Sequence, residues 1–330
     1  MRIGVVGVGR IGQMHVHNIN TFIDGMEVVA IADIVIDEEW AKSEGIKFMY
    51  NDYNELIEND EVDAVLIACS TNLHYPVCMA AAKAKKHVLC EKPIDLDVNN
   101  IKEMIKACDE ANVKLQVGFN RRFDRNFKKV RDAVHNGCIG DPHIIRIASR
   151  DPAPPPIEYI KVSGGIFVDM MIHDFDMIRY LSGSDVEEVY ASGNVLIDEE
   201  IGKAGDVDTA VVTLKFKNGA IGVIDNSRQA VYGYDQRIEV FGAKGQILAE
   251  NEKESTVQIS TAEGEKRDKI PYFFLERYTQ AYLDELQGFY DCVKNDTKPV
   301  VDGTDGLRSV QIALAARESL KQGKPIRLED

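Results

Sequence analysis

Two different spacings of hydrophobic residues divide the chain. The first 120 residues alternate short continuous apolar runs with segments in which apolar residues recur every three or four positions. Continuous runs of this length are typical of strands buried on both faces, and the longer spacing is typical of helices. The runs predict strands at 2–6, 27–32, 63–68, 87–90 and 113–117. The helical spacing is clearest at 75–84 and 98–111. This alternation predicts βαβ units in a doubly wound parallel sheet, an α/β Rossmann fold.

The pattern changes after residue 120. Apolar residues from Phe123 to Val134 predict an amphipathic helix that Asn136-Gly137 closes. Further helices are predicted at about 165–181, 273–294 and 304–321, and residues 186–260 are mostly strand with a hairpin signal at Asn218-Gly219. We therefore expect two domains, residues 1–120 and residues 121–330. The second is of α+β type with a large, mostly antiparallel open sheet, and its last helix can pack back on the first domain.

Composition narrows the class of protein without identifying its chemistry. The 330 residues are 45% hydrophobic, which is enough for one or two cores and excludes a disordered chain. With 39 basic and 54 acidic residues the net charge is −15, so nucleic acid and anionic membranes are disfavoured as partners. The six cysteines form no C-x-x-C pair, and the sequence has neither a secretion signal nor an apolar run of membrane-spanning length. We expect a cytoplasmic protein.

A glycine-rich loop follows the first predicted strand and opens a helix. Its residues are Gly7, Val8, Gly9, Arg10, Ile11 and Gly12, a G-x-G-x-x-G run. In a βαβ unit the first glycine permits a tight turn, the second lets the backbone approach a pyrophosphate, and the third lets helix and strand pack closely. The unpaired N–H groups at the start of the helix favour the pyrophosphate anion. The loop predicts a dinucleotide site.

Asp33 indicates which dinucleotide is bound. It ends the second predicted strand, 21 residues after Gly12. A carboxylate at this position accepts hydrogen bonds from the adenine ribose and repels a 2′-phosphate. No basic residue directly follows Asp33, and Arg10 is the only basic residue of the glycine loop. The pattern favours NAD over NADP.

Ser70, Thr71 and Asn72 follow the strand predicted at 63–68, at the edge of the sheet where ligands of open α/β folds bind. The same residues could cap the helix predicted at 75–84, and a cap and a cofactor contact can coexist.

Glu91-Lys92-Pro93 follows the strand predicted at 87–90, again at the carboxyl edge. A lysine there would reach the nicotinamide end of the crevice. Pro93 restricts the backbone of Lys92 to an extended conformation, which helps to fix the position of its side chain.

Asp169 and His173 lie one turn apart on the helix predicted after Gly164-Gly165. A neutral histidine can take the proton of a hydroxyl group as an alcohol is oxidised, and a carboxylate one turn earlier can orient it. A buried histidine can also be an ordinary core residue, and clusters of His and Asp can bind metals. The sequence contains no H-x-x-x-H or C-x-x-C pattern, and hydride transfer needs no metal when His and Lys polarise the hydroxyl, so no metal site is predicted.

Taken together, these motifs resemble the Gfo/Idh/MocA family of NAD(P)-dependent oxidoreductases along the whole chain. The Asp-x-x-x-His helix and the lysine of Glu91-Lys92-Pro93 look most like the branch that oxidises inositol. The resemblance implies a Lys–Asp–His triad at Lys92, Asp169 and His173, and conversion of myo-inositol to 2-keto-myo-inositol with NAD. It also implies that His74 and Glu91 contact the cofactor.

The resemblance further implies a polyol site and an assembly of subunits. Asn120, Arg121, Asp151 and Tyr234 would bind the hydroxyl groups of the substrate, together with Asp169 and His173. Arg121 could instead belong to a solvated basic face. Family members commonly form homo-oligomers, dimers or tetramers. Two alternatives stay open: a related dehydrogenase acting on scyllo-inositol or an aldose, and a non-catalytic dinucleotide sensor.

Overall fold

A computed structural model describes residues 1–328 and divides the chain into two compact units. The first unit contains residues 1–123 and 280–310, and the second contains residues 124–279 and the described residues from Gln311 onward. No helix among the described residues combines the length and the apolar character that a membrane span requires.

The first unit is built on a parallel sheet. Its strands are β1 Arg2–Val6, β2 Glu27–Ala32, β3 Phe48–Tyr50, β4 Ala64–Ile67, β5 His87–Glu91 and β6 Leu115–Gly118. The connecting helices are α1 Arg10–Phe22, α2 Glu38–Ser43, α3 Tyr53–Glu58, α4 His74–Lys83 and α5 Val98–Ala111. The order β3-β2-β1-β4-β5-β6 and the parallel pairing confirm the predicted doubly wound sheet. β3 has no counterpart among the predicted strands, because its run of three half-buried hydrophobic residues is shorter than the runs that predict a strand.

The second unit is built on a seven-stranded mixed sheet in the order β12-β11-β7-β10-β9-β8-β15. Its strands are β7 Pro142–Arg150, β8 Val186–Asn194, β9 Thr209–Phe216, β10 Ile221–Ser227, β11 Asp235–Gly242, β12 Gly245–Ala249 and β15 Ile326–Arg327, and a separate hairpin consists of β13 Gln258–Thr261 and β14 Gly264–Arg267. Only β7 and β10 pair in parallel within this sheet, among the described residues. This arrangement confirms the α+β class with a mostly antiparallel sheet.

The remaining helices complete the two units. They are α6 Arg125–His135, α7 Ile157–Ser163, α8 Gly165–Asp169, α9 Ile172–Ser182, α10 Glu199–Lys203, α11 Phe274–Arg277, α12 Thr279–Lys294 and α13 Gly303–Gln322. Leu286 and Phe289 of α12 are almost completely buried in the core around β1 and β2. Burial of each side chain contributes about 2 kcal/mol. This packing explains why residues late in the sequence belong to the first unit.

Two local predictions can be compared with the structure directly. The hairpin at Asn218-Gly219 is confirmed, since β9 and β10 pair antiparallel across it and Gly219 adopts a φ of +89°. The single helix predicted at about 165–181 is instead two helices, α8 and α9. The backbone N–H groups of Met170 and Met171 both donate to the carbonyl of Ile166, so the regular hydrogen-bond register is lost between them.

Candidate active site

Two glycines of the first loop, Gly7 and Gly12, are required by close contacts within the protein, and Gly9 is not. Gly7 has a φ of +91°, and a Cβ atom there would lie 2.4 Å from the backbone nitrogen of Cys69. A Cβ atom on Gly12 would lie 1.9 Å from the carbonyl oxygen of Gly7, so α1 could not pack against β1. A Cβ atom on Gly9 would meet no atom within 4 Å. The open space at Gly9 fits the close approach of a ligand to the backbone.

Asp33 directly follows β2 and lies beside the glycine loop. Its Oδ2 accepts a hydrogen bond of 2.7 Å from the backbone N–H of Val8, which ties the carboxylate to the glycine loop. A pocket of about 270 Å³ is lined by the glycine loop, by Asp33 and by Ser70 at the end of β4. The structure thus brings together Gly7, Gly9, Asp33 and Ser70, which are predicted cofactor residues from three separate strand ends. Arg10 and Ile11 begin α1 beside them.

Ser70, Thr71 and Asn72 do not cap a helix through their side chains. Residues Thr71–Leu73 form a short 3₁₀ helix that leads into α4, and within residues 1–328 neither of these helices has a side-chain cap. Ser70 and Asn72 are exposed, so both side chains can meet a ligand.

His74 joins the loops that follow β4 and β5. Its ring nitrogens lie 2.9 Å from the carbonyl oxygen of Pro93 and 3.1 Å from that of Cys69. The side chain is buried, with 1% of its surface exposed. These contacts are made to the backbone, so they hold the segment that carries Lys92 against the end of β4.

Lys92 follows β5, at the same edge of the sheet as the glycine loop. Its backbone N–H donates to Oε2 of Glu91 at 3.2 Å, and Oε1 of Glu91 lies 2.8 Å from Nε2 of His15. Both oxygens of the Glu91 carboxylate are therefore used inside the first unit. They fix the backbone from which the Lys92 side chain extends.

Asn120 and Arg121 lie on a short 3₁₀ helix, Asn120–Phe123, just after β6. Both are buried. The neighbouring Arg122 is also buried and forms a 2.8 Å ion pair with Asp305. This segment is not the solvated basic face that the sequence left open as an alternative.

In the second unit, a Gly-Gly turn positions the helix that ends in Asp169. Gly164 and Gly165 have φ values of +89° and +80°, which disfavour other residues. The backbone N–H of Ile166 at the start of α8 donates a bifurcated hydrogen bond to Asp206, with its nitrogen 3.0 Å from each carboxylate oxygen. α8 ends at Asp169 and α9 begins at Ile172, which places His173 in the first turn of α9.

The Asp169 carboxylate lies between a tyrosine and an arginine. The Tyr159 hydroxyl donates to its Oδ1 at 2.8 Å, and Nη1 of Arg228 lies 3.6 Å from its Oδ2. Arg228 is only 1% exposed and also lies 3.4 Å from Asp206. Partial loss of hydration and the nearby Asp169 carboxylate raise the pKa of Tyr159, so its hydroxyl remains a donor.

Asp151 and Tyr234 flank the loop that carries Arg228. The carbonyl oxygen of Asp151 accepts a 2.6 Å hydrogen bond from Ala230, and its N–H donates to Ser227. Tyr234 is buried, and its ring meets Tyr278 edge-on with 6.0 Å between ring centres. Asp151 is therefore bound to the backbone of the loop whose arginine contacts Asp169, and Tyr234 is the last residue of that loop.

Two families of known proteins match this chain, one in each part. Residues 1–119 match the oxidoreductase family with an NAD-binding Rossmann fold, and residues 127–248 match the GFO/IDH/MocA C-terminal domain. The chain belongs to the GFO/IDH/MocA oxidoreductase family. The predicted family and the predicted NAD-binding Rossmann domain are confirmed, and the open space at Gly9 beside the Asp33 carboxylate fits that cofactor.

Members of the GFO/IDH/MocA family resemble this chain over its full length. A myo-inositol 2-dehydrogenase from Thermotoga maritima is 55% identical, covering 100% of this chain and 99% of the relative. An inositol 2-dehydrogenase from Rhizobium meliloti is 42% identical, covering 99% and 98%. The crystal structure of scyllo-inositol dehydrogenase from Lactobacillus casei, with bound NAD(H) and scyllo-inositol, is 31% identical. It aligns with a TM-score of 0.93 and covers 99% of this chain and 98% of that chain.

Three contacts of this family member were not found by sequence reasoning. Tyr159, Asp206 and Arg228 surround Asp169 and its helix, but they come from three separate segments of the chain. Strand ends, glycine turns and helical spacing do not single out any of them. Their importance depends on tertiary contacts.

Proposed function

We propose that this chain is an NAD-dependent inositol 2-dehydrogenase that oxidises the C2 hydroxyl of myo-inositol to give 2-keto-myo-inositol. The observation that carries this proposal is the 55% identity, along the whole chain, to a relative named myo-inositol 2-dehydrogenase. The residues required for alcohol oxidation, Lys92, Asp169 and His173, are all present in this sequence.

In this proposal NAD, when bound, supplies the acceptor for the hydride that leaves the ring carbon. His173 takes the proton from the reacting hydroxyl, a step that contributes about 10²- to 10⁴-fold in rate when the base is well placed. Asp169 orients His173 and stabilises the imidazolium that forms. Lys92 polarises the reacting oxygen and links that oxygen to solvent by a proton relay.

The two parts of the chain have different proposed roles. Residues 1–120 bind the cofactor, and residues 121–330 contribute most of the substrate site and the subunit contacts. The proposed cofactor contacts are Gly7, Gly9, Arg10, Ile11, Gly12, Asp33, Ser70, Thr71, Asn72, His74, Glu91 and Lys92. The proposed substrate contacts are Asn120, Arg121, Asp151, Asp169, His173 and Tyr234. A neutral polyol suits this polar set, because each hydroxyl both donates and accepts hydrogen bonds.

We also propose that the chain forms a homo-oligomer, a dimer or a tetramer, through the outer face of the second unit's sheet. Large apolar side chains are exposed along this face at 41–49% of their surface. They are Tyr190, Val211, Ile221, Phe241 and Leu248. A row of exposed apolar residues on an open sheet marks an interaction surface.

A substrate panel tests the proposed activity. With NAD, the protein is expected to produce NADH absorbance with myo-inositol, and NADP is expected to support much slower turnover because Asp33 repels a 2′-phosphate. The panel includes scyllo-inositol, chiro-inositol and several aldoses, so it separates this proposal from a related sugar dehydrogenase. Turnover of aldoses with no turnover of any inositol would contradict the proposed substrate.

A further inference from the structure

A largely buried cluster of titratable side chains lies next to Lys92 within the first unit. It consists of His15 on α1, Glu91 at the end of β5 and Glu285 on α12. One nitrogen or oxygen atom from each of the three side chains lies within 4.8 Å of the other two. The Tyr282 ring, one turn before Glu285, packs edge-on against His15.

Glu285 is the unusual member of the His15–Glu91–Glu285 cluster. Its side chain has no exposed surface, and neither of its carboxyl oxygens has a hydrogen-bond partner among residues 1–328. Gln116 donates a 3.1 Å hydrogen bond to the backbone carbonyl of Glu285, which fixes that turn of α12. By contrast, the Glu91 carboxylate binds both His15 and the backbone of Lys92.

A negative charge on Glu285 would be highly unfavourable here. Burial and the nearby Glu91 carboxylate raise the pKa of Glu285 well above its usual range. A fully buried carboxyl group and a partly buried one at this separation are most stable when one of them carries a proton. Since neither Glu285 oxygen has a direct hydrogen-bond partner among the described residues, the protonated group can donate to the other through one bridging water. Of the two, Glu91 is the one already engaged as an acceptor by a backbone N–H.

We propose that Glu285 is a neutral carboxylic acid at neutral pH and donates a hydrogen bond, through a bridging water, towards Glu91, which makes Glu285 a positioning residue for Lys92. The positioning role rests on the proposed function of Lys92, whereas the protonation state does not. Glu285 does not touch the reacting atoms in this proposal. It acts by keeping Glu91 in place, which in turn holds the backbone of Lys92.

Infrared spectroscopy tests the protonation state without any substrate. Wild-type protein at neutral pH is expected to show the carbonyl stretch of a buried carboxylic acid, well separated from carboxylate bands. That band should be absent from Glu285→Gln and retained in Asp284→Asn, a matched change at the exposed neighbour on α12. A wild-type spectrum with no such band would overturn the proposal.

Stability as a function of pH provides a second readout. An acid whose pKa is raised in the folded state contributes stability below its unfolded pKa, and this contribution is lost as the pH rises through the folded value. A glutamine does not ionise. The melting temperature of Glu285→Gln relative to wild type is therefore expected to increase from about pH 5 to about pH 9. A constant or decreasing difference would contradict a proton on Glu285.

Kinetics test the positioning role. Glu285→Gln keeps a donor of the same shape and is expected to retain most of kcat, with an unchanged pH profile. Glu285→Leu removes the donor and is expected to displace Lys92. Because Lys92 acts on the reacting oxygen in the proposed function, kcat is expected to fall by up to about 100-fold with little change in KM. Equal losses in both variants would overturn the proposal. A stoichiometric metal ion that elemental analysis finds in wild type but not in Glu285→Gln would also overturn the proposal.

The failures of the two proposals can be distinguished. If wild-type protein oxidises no inositol but shows the acid band, the proposed function fails and the protonated Glu285 stands. If inositol is oxidised but the acid band is absent, the proposed function stands and only the protonated Glu285 fails.

Discussion

Lys92 follows β5, and its backbone N–H is bound to Glu91 at a distance of 3.2 Å. Asp33 follows β2 and is bound to the glycine loop in a similar way, at 2.7 Å. In both cases a backbone contact fixes the position of the residue before a ligand is present. Such preorganisation lowers the cost of assembling a site on binding.

Replacement of Lys92 distinguishes catalysis from mere dinucleotide sensing. We expect Lys92→Ala to bind NAD but to lose turnover by about 10²- to 10⁴-fold, because the reacting oxygen is no longer polarised. Binding is measured by calorimetry and turnover by NADH absorbance. Lys102→Ala, at an exposed lysine on α5, is the control and should match wild type. Full turnover by Lys92→Ala would rule out its proposed role.

The sequence predicts some of these residues and not others. Asp33 and Lys92 are predictable because each follows a buried strand, so its position at the sheet edge depends on local pattern alone. Arg228 and Glu285 are not. A single arginine after a strand, or a glutamate on an amphipathic helix, is ordinary on a protein surface, and only long-range packing buries these two side chains.

Helices α8 and α9 are the elements on which the proposed base and its carboxylate lie. Hydrophobic spacing predicts one helix here. The spacing depends on which side chains face the core, and it does not show which carbonyl oxygen each backbone N–H binds. At Met171 the N–H reaches back five residues to Ile166. Wide turns of this kind within helices are frequent at functional sites. The interruption lies between Asp169 and His173.

Arg228 stabilises this pair of helices by compensating two carboxylates. We expect Arg228→Met to lower the free energy of unfolding by about 3–5 kcal/mol, because Asp169 and Asp206 lose a buried cation that they share. Chemical denaturation measures the change. Arg146→Met, which removes an exposed ion pair with Glu239, should cost less than about 1 kcal/mol.

The effect of Arg228 on catalysis can be measured separately from its effect on stability. Arg228→Lys keeps the charge but not the fork of donors, so it is expected to fold while showing a reduced kcat and an altered pH profile. A stable Arg228→Met protein with unchanged kinetics would show that Arg228 does not position Asp169.

At the scale of the whole molecule, the fold class follows from sequence more readily than the strand order. Continuous apolar runs and a glycine loop are local signals, and they correctly indicate the parallel sheet of the first unit. The central pairing of the second sheet, β7 beside β10, joins segments about 75 residues apart and has no local signal. The net charge of −15 disfavours nucleic acid and anionic membranes as partners but does not indicate a substrate.

The proposed oligomer is a prediction at this scale. Introducing charge on the exposed sheet face, with Ile221→Lys and Phe241→Lys together, is expected to reduce the mass in solution, because an apolar interface cannot bury two new ammonium groups. Light scattering coupled to size-exclusion chromatography measures the mass. Val300→Lys, at an exposed apolar residue of the first unit, is the control. A monomeric wild-type protein would contradict the proposed assembly.

Transfer of deuterium from the substrate tests the central proposal most directly. Myo-inositol labelled with deuterium at C2 is incubated with the protein and NAD, and the reduced cofactor is analysed by mass spectrometry. We predict that each reduced nicotinamide carries one deuterium and that the organic product is the 2-ketone. Reduced cofactor without deuterium, or no reduction by any inositol, would contradict the account.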